Sequence, residues 1–155
     1  VAARLSSSVQ PIFYNFSGIE ELRREVIAEA GRLYAKRIER AIAENKYPAY
    51  KCSGMAYIEF AVCERELFKL LFMRDRDAAE RADDEAVGPI YDLVSESFGV
   101  DRETARLVHL EIWAFVHGIA TMFATSFLEL DWELVARMLS DVYQGIRARH
   151  ISEES

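Results

Sequence analysis

Apolar positions recur at helical spacing along most of the chain and never alternate with polar ones over a strand length, so the pattern predicts helices throughout. The clearest stripe lies in 18–45, where Leu22, Val26, Ala30, Leu33, Tyr34, Ile38 and Ile42 share one face. Ser17 and Glu20 precede it at capping-box spacing, with the hydroxyl accepting from an early backbone N–H and the carboxylate reaching back. Lys46, Tyr47 and Pro48 stop it, because the residue before a proline avoids helical backbone. At about 1.5 Å per residue this helix spans roughly 40 Å.

Ahead of it, 1–5 read as the end of a helix and the three serines at 6–8 as an interruption. Ser7 or Ser8 can then cap a short helix with Pro11 in its first turn, where a missing N–H costs nothing. Ile12 and Phe16 share its inner face.

Behind the long helix, a second helix is expected from near Ser53, carrying Met55, Ile58, Val62, Leu67 and Leu71 and fading in the charged run 74–84. A third is broken or bent at Gly88 and Pro89 and ends at Phe98, where Gly99 suits a left-handed cap. Asp101 caps a fourth, running to about Glu129. Asp131 caps the last, with Leu134, Val135, Met138, Leu139, Val142 and Ile146 inward.

The stretch 112–130 is apolar enough to test as a membrane span. His117, Glu129 and several Ser and Thr count against that, as does the lack of a basic flank. A helix buried around most of its circumference fits better, and a small body then needs a second subunit to cover what remains. The expectation is an all-α homodimer with no membrane partner.

Composition narrows the class. The chain is 51% apolar with 7 Gly and 3 Pro, enough to build a core without disulfides or metals. Cys52 and Cys63 stand roughly 16 Å apart if both belong to one helix, too far to bridge. Reduced thiols and a cytoplasmic location follow. The chain opens on Val1 rather than Met, so Val1 is not expected to begin the gene product, and no signal peptide is visible. The net charge of −7 is divided unevenly, with an excess of basic residues in 1–50 and of acidic residues in 51–155. An acidic body repels phosphate, so nucleic-acid contact falls to the front.

Three segments carry a family resemblance. Residues 1–22, and above all Ile12, Phe13, Tyr14, Asn15 and Phe16 followed by Glu20, Glu21 and Leu22, resemble the second half of a TetR-type helix-turn-helix. Trp113, His117 and Gly118 resemble the signature of the WHG subgroup of that family, and 56–72 resembles its first body helix. The resemblance implies a recognition helix in the major groove, with Val9, Gln10, Pro11, Tyr14 and Asn15 facing DNA. Phe13 stands where the family usually has Tyr, and Ile19 where it usually has Lys, which removes two phosphate contacts without changing sequence preference. The first helix of the head and most of the second are missing from this chain, which as it stands should bind an operator poorly.

The implied organisation is the rear part of a DNA-binding domain at 1–17, a connecting helix at 18–45, and a ligand-sensing and dimerising domain at 46–150. Met55, Glu59, Phe60, Cys63, Tyr91, Trp113, His117 and Met122 are candidates to line an apolar cavity for a small-molecule effector. Each has a plainer reading. His117 is either a ligand partner or a core histidine satisfied by a carbonyl, and Trp113 packs as readily as it stacks on a ligand. Gly118 either permits close helix approach or marks a kink. Cys52, ahead of a helix start, is either an activated thiol or an inert one.

His109 and His117 alone make no metal site, no cofactor is expected, and no nucleophile–base pair or phosphate loop suggests an enzyme. The function implied is a ligand-responsive transcriptional repressor that releases operator DNA on binding its effector. The rival is a helical interaction module that pairs with an intact relative and does not bind DNA itself.

Overall fold

The computed structural model of the chain describes residues 16–75 and 88–152. Among them are six α-helices and no strand: α1 (Ile19–Glu44), α2 (Ala49–Cys63), α3 (Arg65–Phe72), α4 (Gly88–Phe98), α5 (Arg102–Ala124) and α6 (Trp132–Ser152). The all-α expectation holds.

Local signals set several helix ends. Asp101 accepts from the Thr104 N–H at 2.8 Å and Asp131 from the Glu133 and Leu134 N–H groups at 2.9 and 3.1 Å, so both carboxylates satisfy donors that a helix start leaves orphaned. Gly99 follows Phe98 at φ 71 and closes α4, since only glycine adopts that backbone freely.

Four expected features of the helix boundaries change. The carboxylate that reaches back at the start of α1 is Glu21, not Glu20: it takes both the N–H and the hydroxyl of Ser17 at 2.5 Å, and Gly18 occupies the cap position. α2 begins at Ala49 directly after Pro48, four residues earlier than Ser53, because proline tolerates the position ahead of a helix. The second expected helix is also two: Glu64, at φ −126 and ψ 53, breaks it into α2 and α3. Finally, α5 stops at Ala124 rather than Glu129. Thr125 turns its hydroxyl onto the Thr121 carbonyl, and Ser126 enters the left-handed region at φ 56.

α2 is the central element, packed against α1, α5 and, less extensively, α4, α3 and α6. Phe60, Phe68, Ile58, Leu139, Val94, Val108 and Val135 are fully buried where these helices meet. Each such side chain contributes about 1.5–3 kcal/mol by leaving water. A Cβ on Gly54 would meet Leu139 Cδ2 at 3.2 Å and Val116 Cγ2 at 3.6 Å, so this glycine lets α2 sit close to α5 and α6. The close approach expected at Gly118 is not found among the described residues, where nothing lies within 4 Å of a Cβ at that position.

α5 is the one described helix long and apolar enough to cross a membrane. In this fold Ala105, Val108, Ile112, Val116, Ile119 and Phe123 form its inner face, buried among the other helices.

Candidate ligand-binding cavity

The helices do not close completely. Between α1, α2, α4 and α5 they leave a cavity of about 690 Å³, also reached by the end of α3 and by Leu139 and Tyr143 of α6. That volume suits a drug-sized molecule, and most of the wall is hydrocarbon or aromatic ring. α1 supplies Tyr34, Ala35, Ile38 and Ile42, so one side of the cavity is the long N-terminal helix itself.

Two hydrogen-bonded pairs join α2 to α5 beside this space. The Tyr50 hydroxyl and His109 Nδ1 lie 2.9 Å apart, and the Tyr57 hydroxyl and His117 Nδ1 lie 2.8 Å apart. Tyr50 and Tyr57 are seven residues apart on α2, and His109 and His117 eight apart on α5. Both intervals return close to the same helix face, so the pairs repeat along one seam.

Burial governs their protonation. Removal from water disfavours the phenolate, so Tyr34, Tyr50 and Tyr57 all have pKa values well above the ordinary tyrosine range. At Tyr57 the neighbouring Tyr34 reinforces this and a bond to the Trp113 side chain opposes it. The same burial lowers the pKa of His109 and of His117, favouring neutral imidazoles. Both pairs are therefore uncharged at neutral pH.

The expected cavity residues fall in different places. Trp113 lines the space, and His117 stands beside it, stacked on Trp113 with ring centroids 4.8 Å apart. Met55 and Phe60 are buried in the core away from the lining. Tyr91 is buried too, 5.6 Å from the His109 ring and beside a shallower depression with Arg102, Glu103 and Arg106. Met122 is half-buried near the end of α5. Glu59 and Cys63 are exposed, with Glu59 3.3 Å from Arg37. The reason is rotational: Tyr50, Gly54 and Tyr57 share the cavity side of α2, and Glu59 and Cys63 project from the far side.

Cys52 lies inside the first turn of α2, buried, with its thiol donating to the Tyr47 carbonyl at 3.1 Å. Among the described residues no three His, Cys, Asp or Glu side chains gather as a metal site. The expected DNA-facing residues Val9, Gln10, Pro11, Tyr14 and Asn15 lie outside the described residues.

Sequence reasoning passed over Tyr50 and Tyr57, placed Tyr34 only in the apolar stripe of the long helix, and weighed His109 only as a metal ligand. A signal was present in the matched intervals 50/57 and 109/117. It gains meaning only once α2 and α5 are known to be neighbours running the same way.

Comparison with known proteins bears on this helical body. A family description, tetracyclin repressor-like C-terminal domain, matches residues 52–142, more than half of the chain and most of the cavity-bearing body. Neither the curated proteins nor the solved structures provide a match. Through the domain formed by α2 to α6, this chain belongs to the tetracycline repressor-like family of regulators.

Proposed function

We propose that the protein is a homodimeric, ligand-responsive transcriptional repressor of the cytoplasm, in which a small apolar effector enters the cavity and releases operator DNA. The observation that carries this reading is the cavity wall formed by α1. α1 joins the body to the segment whose sequence resembles a recognition helix. A ligand touching both α1 and the body favours whichever packing of α1 suits it, and can shift the equilibrium only by that difference in affinity. Operator half-sites lie about 34 Å apart, so a small tilt of a helix this long displaces the DNA-reading ends. A coupling of about 1–3 kcal/mol changes operator affinity roughly 5- to 150-fold.

A second copy is supported by the outer face of α5. Leu107 and Leu110 are 50% and 47% exposed, and with Ala114 and Gly118 they form a stripe opposite the buried face. An apolar stripe on both sides of one helix is stable in water only if something covers the second.

The test uses the complete gene product. Salt-sensitive, sequence-selective DNA binding that weakens when an apolar ligand occupies the cavity is the expected result. Absence of DNA binding by the complete protein would replace this reading with that of a dimerising interaction module.

A further inference from the structure

The two tyrosine–histidine pairs restrict what the cavity can hold. A neutral tyrosine and a neutral histidine carry two polar protons between them, and the bond inside the pair uses one. If the phenol donates to Nδ1, then Nε2–H remains as a donor and the phenol oxygen as an acceptor. If Nδ1–H donates to the phenol, the O–H remains as donor and Nε2 as acceptor. Either way the Tyr50–His109 pair keeps one donor and one acceptor. At the second pair Trp113 also bonds the Tyr57 hydroxyl and His117 lies beside the lining, so the phenol keeps a lone pair or its O–H. A ligand hydroxyl can meet either pair without any charge.

Tyr50, Tyr57 and His109 line the cavity. The pairs stand seven residues apart along α2, roughly 10 Å at about 1.5 Å per residue. Between them the wall is apolar, formed by Ile112, Val116 and Leu139.

Three charged side chains also reach the lining, Lys51, Arg74 and Glu39. Lys51 Nζ is 2.5 Å from Ser140 Oγ and 4.2 Å from the centroid of the Tyr47 ring. Arg74 Nη1 donates to the Asp75 carbonyl at 3.1 Å, and Glu39 is exposed.

We propose that the ligand is an elongated, uncharged, largely apolar molecule with an oxygen function at each end, one meeting Tyr50–His109 and the other Tyr57–His117. This rests on the cavity being a ligand site, as the proposed repressor requires. It adds the chemistry and spacing of that ligand.

The probes are straight-chain α,ω-diols of increasing length, with the matching mono-alcohols, alkanes and α,ω-dicarboxylates, titrated by calorimetry and by Trp113 fluorescence. Diols should bind more tightly than mono-alcohols of equal length, by about three- to tenfold, the worth of one net hydrogen bond. The advantage should peak at a length that spans roughly 10 Å. Tyr50→Phe and Tyr57→Phe should each bring the diol down to the mono-alcohol, and the double variant should bring both down to the alkane.

Equal binding of diol, mono-alcohol and alkane by the unaltered protein would overturn the proposal and leave the cavity as a plain apolar site. Preference for the dicarboxylate would overturn its uncharged character. Failure of every probe, mono-alcohols and alkanes included, would instead count against the sensor reading beneath it. The comparison among probes on the unaltered protein stands even if a variant fails to fold.

Discussion

The indole of Trp113 lies nearly parallel to the imidazole of His117, with 19° between the planes and 4.8 Å between centroids, and the same imidazole is bonded to Tyr57 at 2.8 Å. One turn of α5 thus links the cavity wall to a polar partner on α2. Because burial holds His117 neutral, its charging is displaced toward acid and Trp113 can report it. In a Trp132→Phe background, Trp113 emission should fall as pH drops, with a midpoint below the roughly 6.5 of an ordinary histidine. A midpoint at or above that value would contradict the burial argument.

The same displacement has a consequence for stability. A histidine whose folded pKa is lowered takes its proton more readily in the unfolded chain. Above about pH 6.5 both states are neutral and nothing is lost, while below it the unfolded chain gains protons first and stability falls. Urea midpoints measured at pH 7.5 and pH 5.5 should therefore drop toward acid. His109→Gln should flatten that slope, since burial also lowers the pKa of His109. An unchanged slope would show that other groups set the acid limit.

Gly54 sets the distance between α2 and its neighbours. Gly54→Val places methyl groups where a Cβ alone would meet Leu139 Cδ2 at 3.2 Å. Overpacking of this kind costs about 1–3 kcal/mol. Combined with Leu139→Ala, the loss should be smaller than the sum of the two single losses, because the shortened leucine vacates the space the valine needs. Denaturant melts of the three variants measure this, and strict additivity would mean that the contact is not shared.

Leu107→Glu together with Leu110→Glu places two carboxylates on the outer stripe of α5. Both leucines are about half exposed, so the monomer fold should persist by circular dichroism. Light scattering should show the mass falling from two chains to one. A monomeric unaltered protein would remove the stripe from consideration as a subunit contact.

Local chemistry was legible well ahead of the tertiary arrangement. Asp101, Asp131 and Gly99 act within a few residues of themselves, and each does in the structure what its neighbours in sequence imply. The break at Glu64 was not legible. The residues around it are strong helix formers, and the kink leaves Phe68 fully buried with its ring 5.3 Å from that of Tyr57. Tertiary packing overrides local propensity there. Trp113, Glu59 and Cys63 stood alike as cavity candidates, and only the tertiary arrangement, with the rotation of α2, set Trp113 in the lining and the other two outside it.

Sequence alone determined that the chain is helical and where Asp101, Asp131 and Gly99 start or close their helices. These follow from spacing and from side chains acting on adjacent backbone. Only the tertiary structure decided that Tyr50 meets His109 and Tyr57 meets His117, that Gly54 rather than Gly118 carries the close approach, and that α1 forms a wall of the cavity. A cavity is the space left when several helices settle at particular rotations, and those rotations are set by residues far apart in the chain.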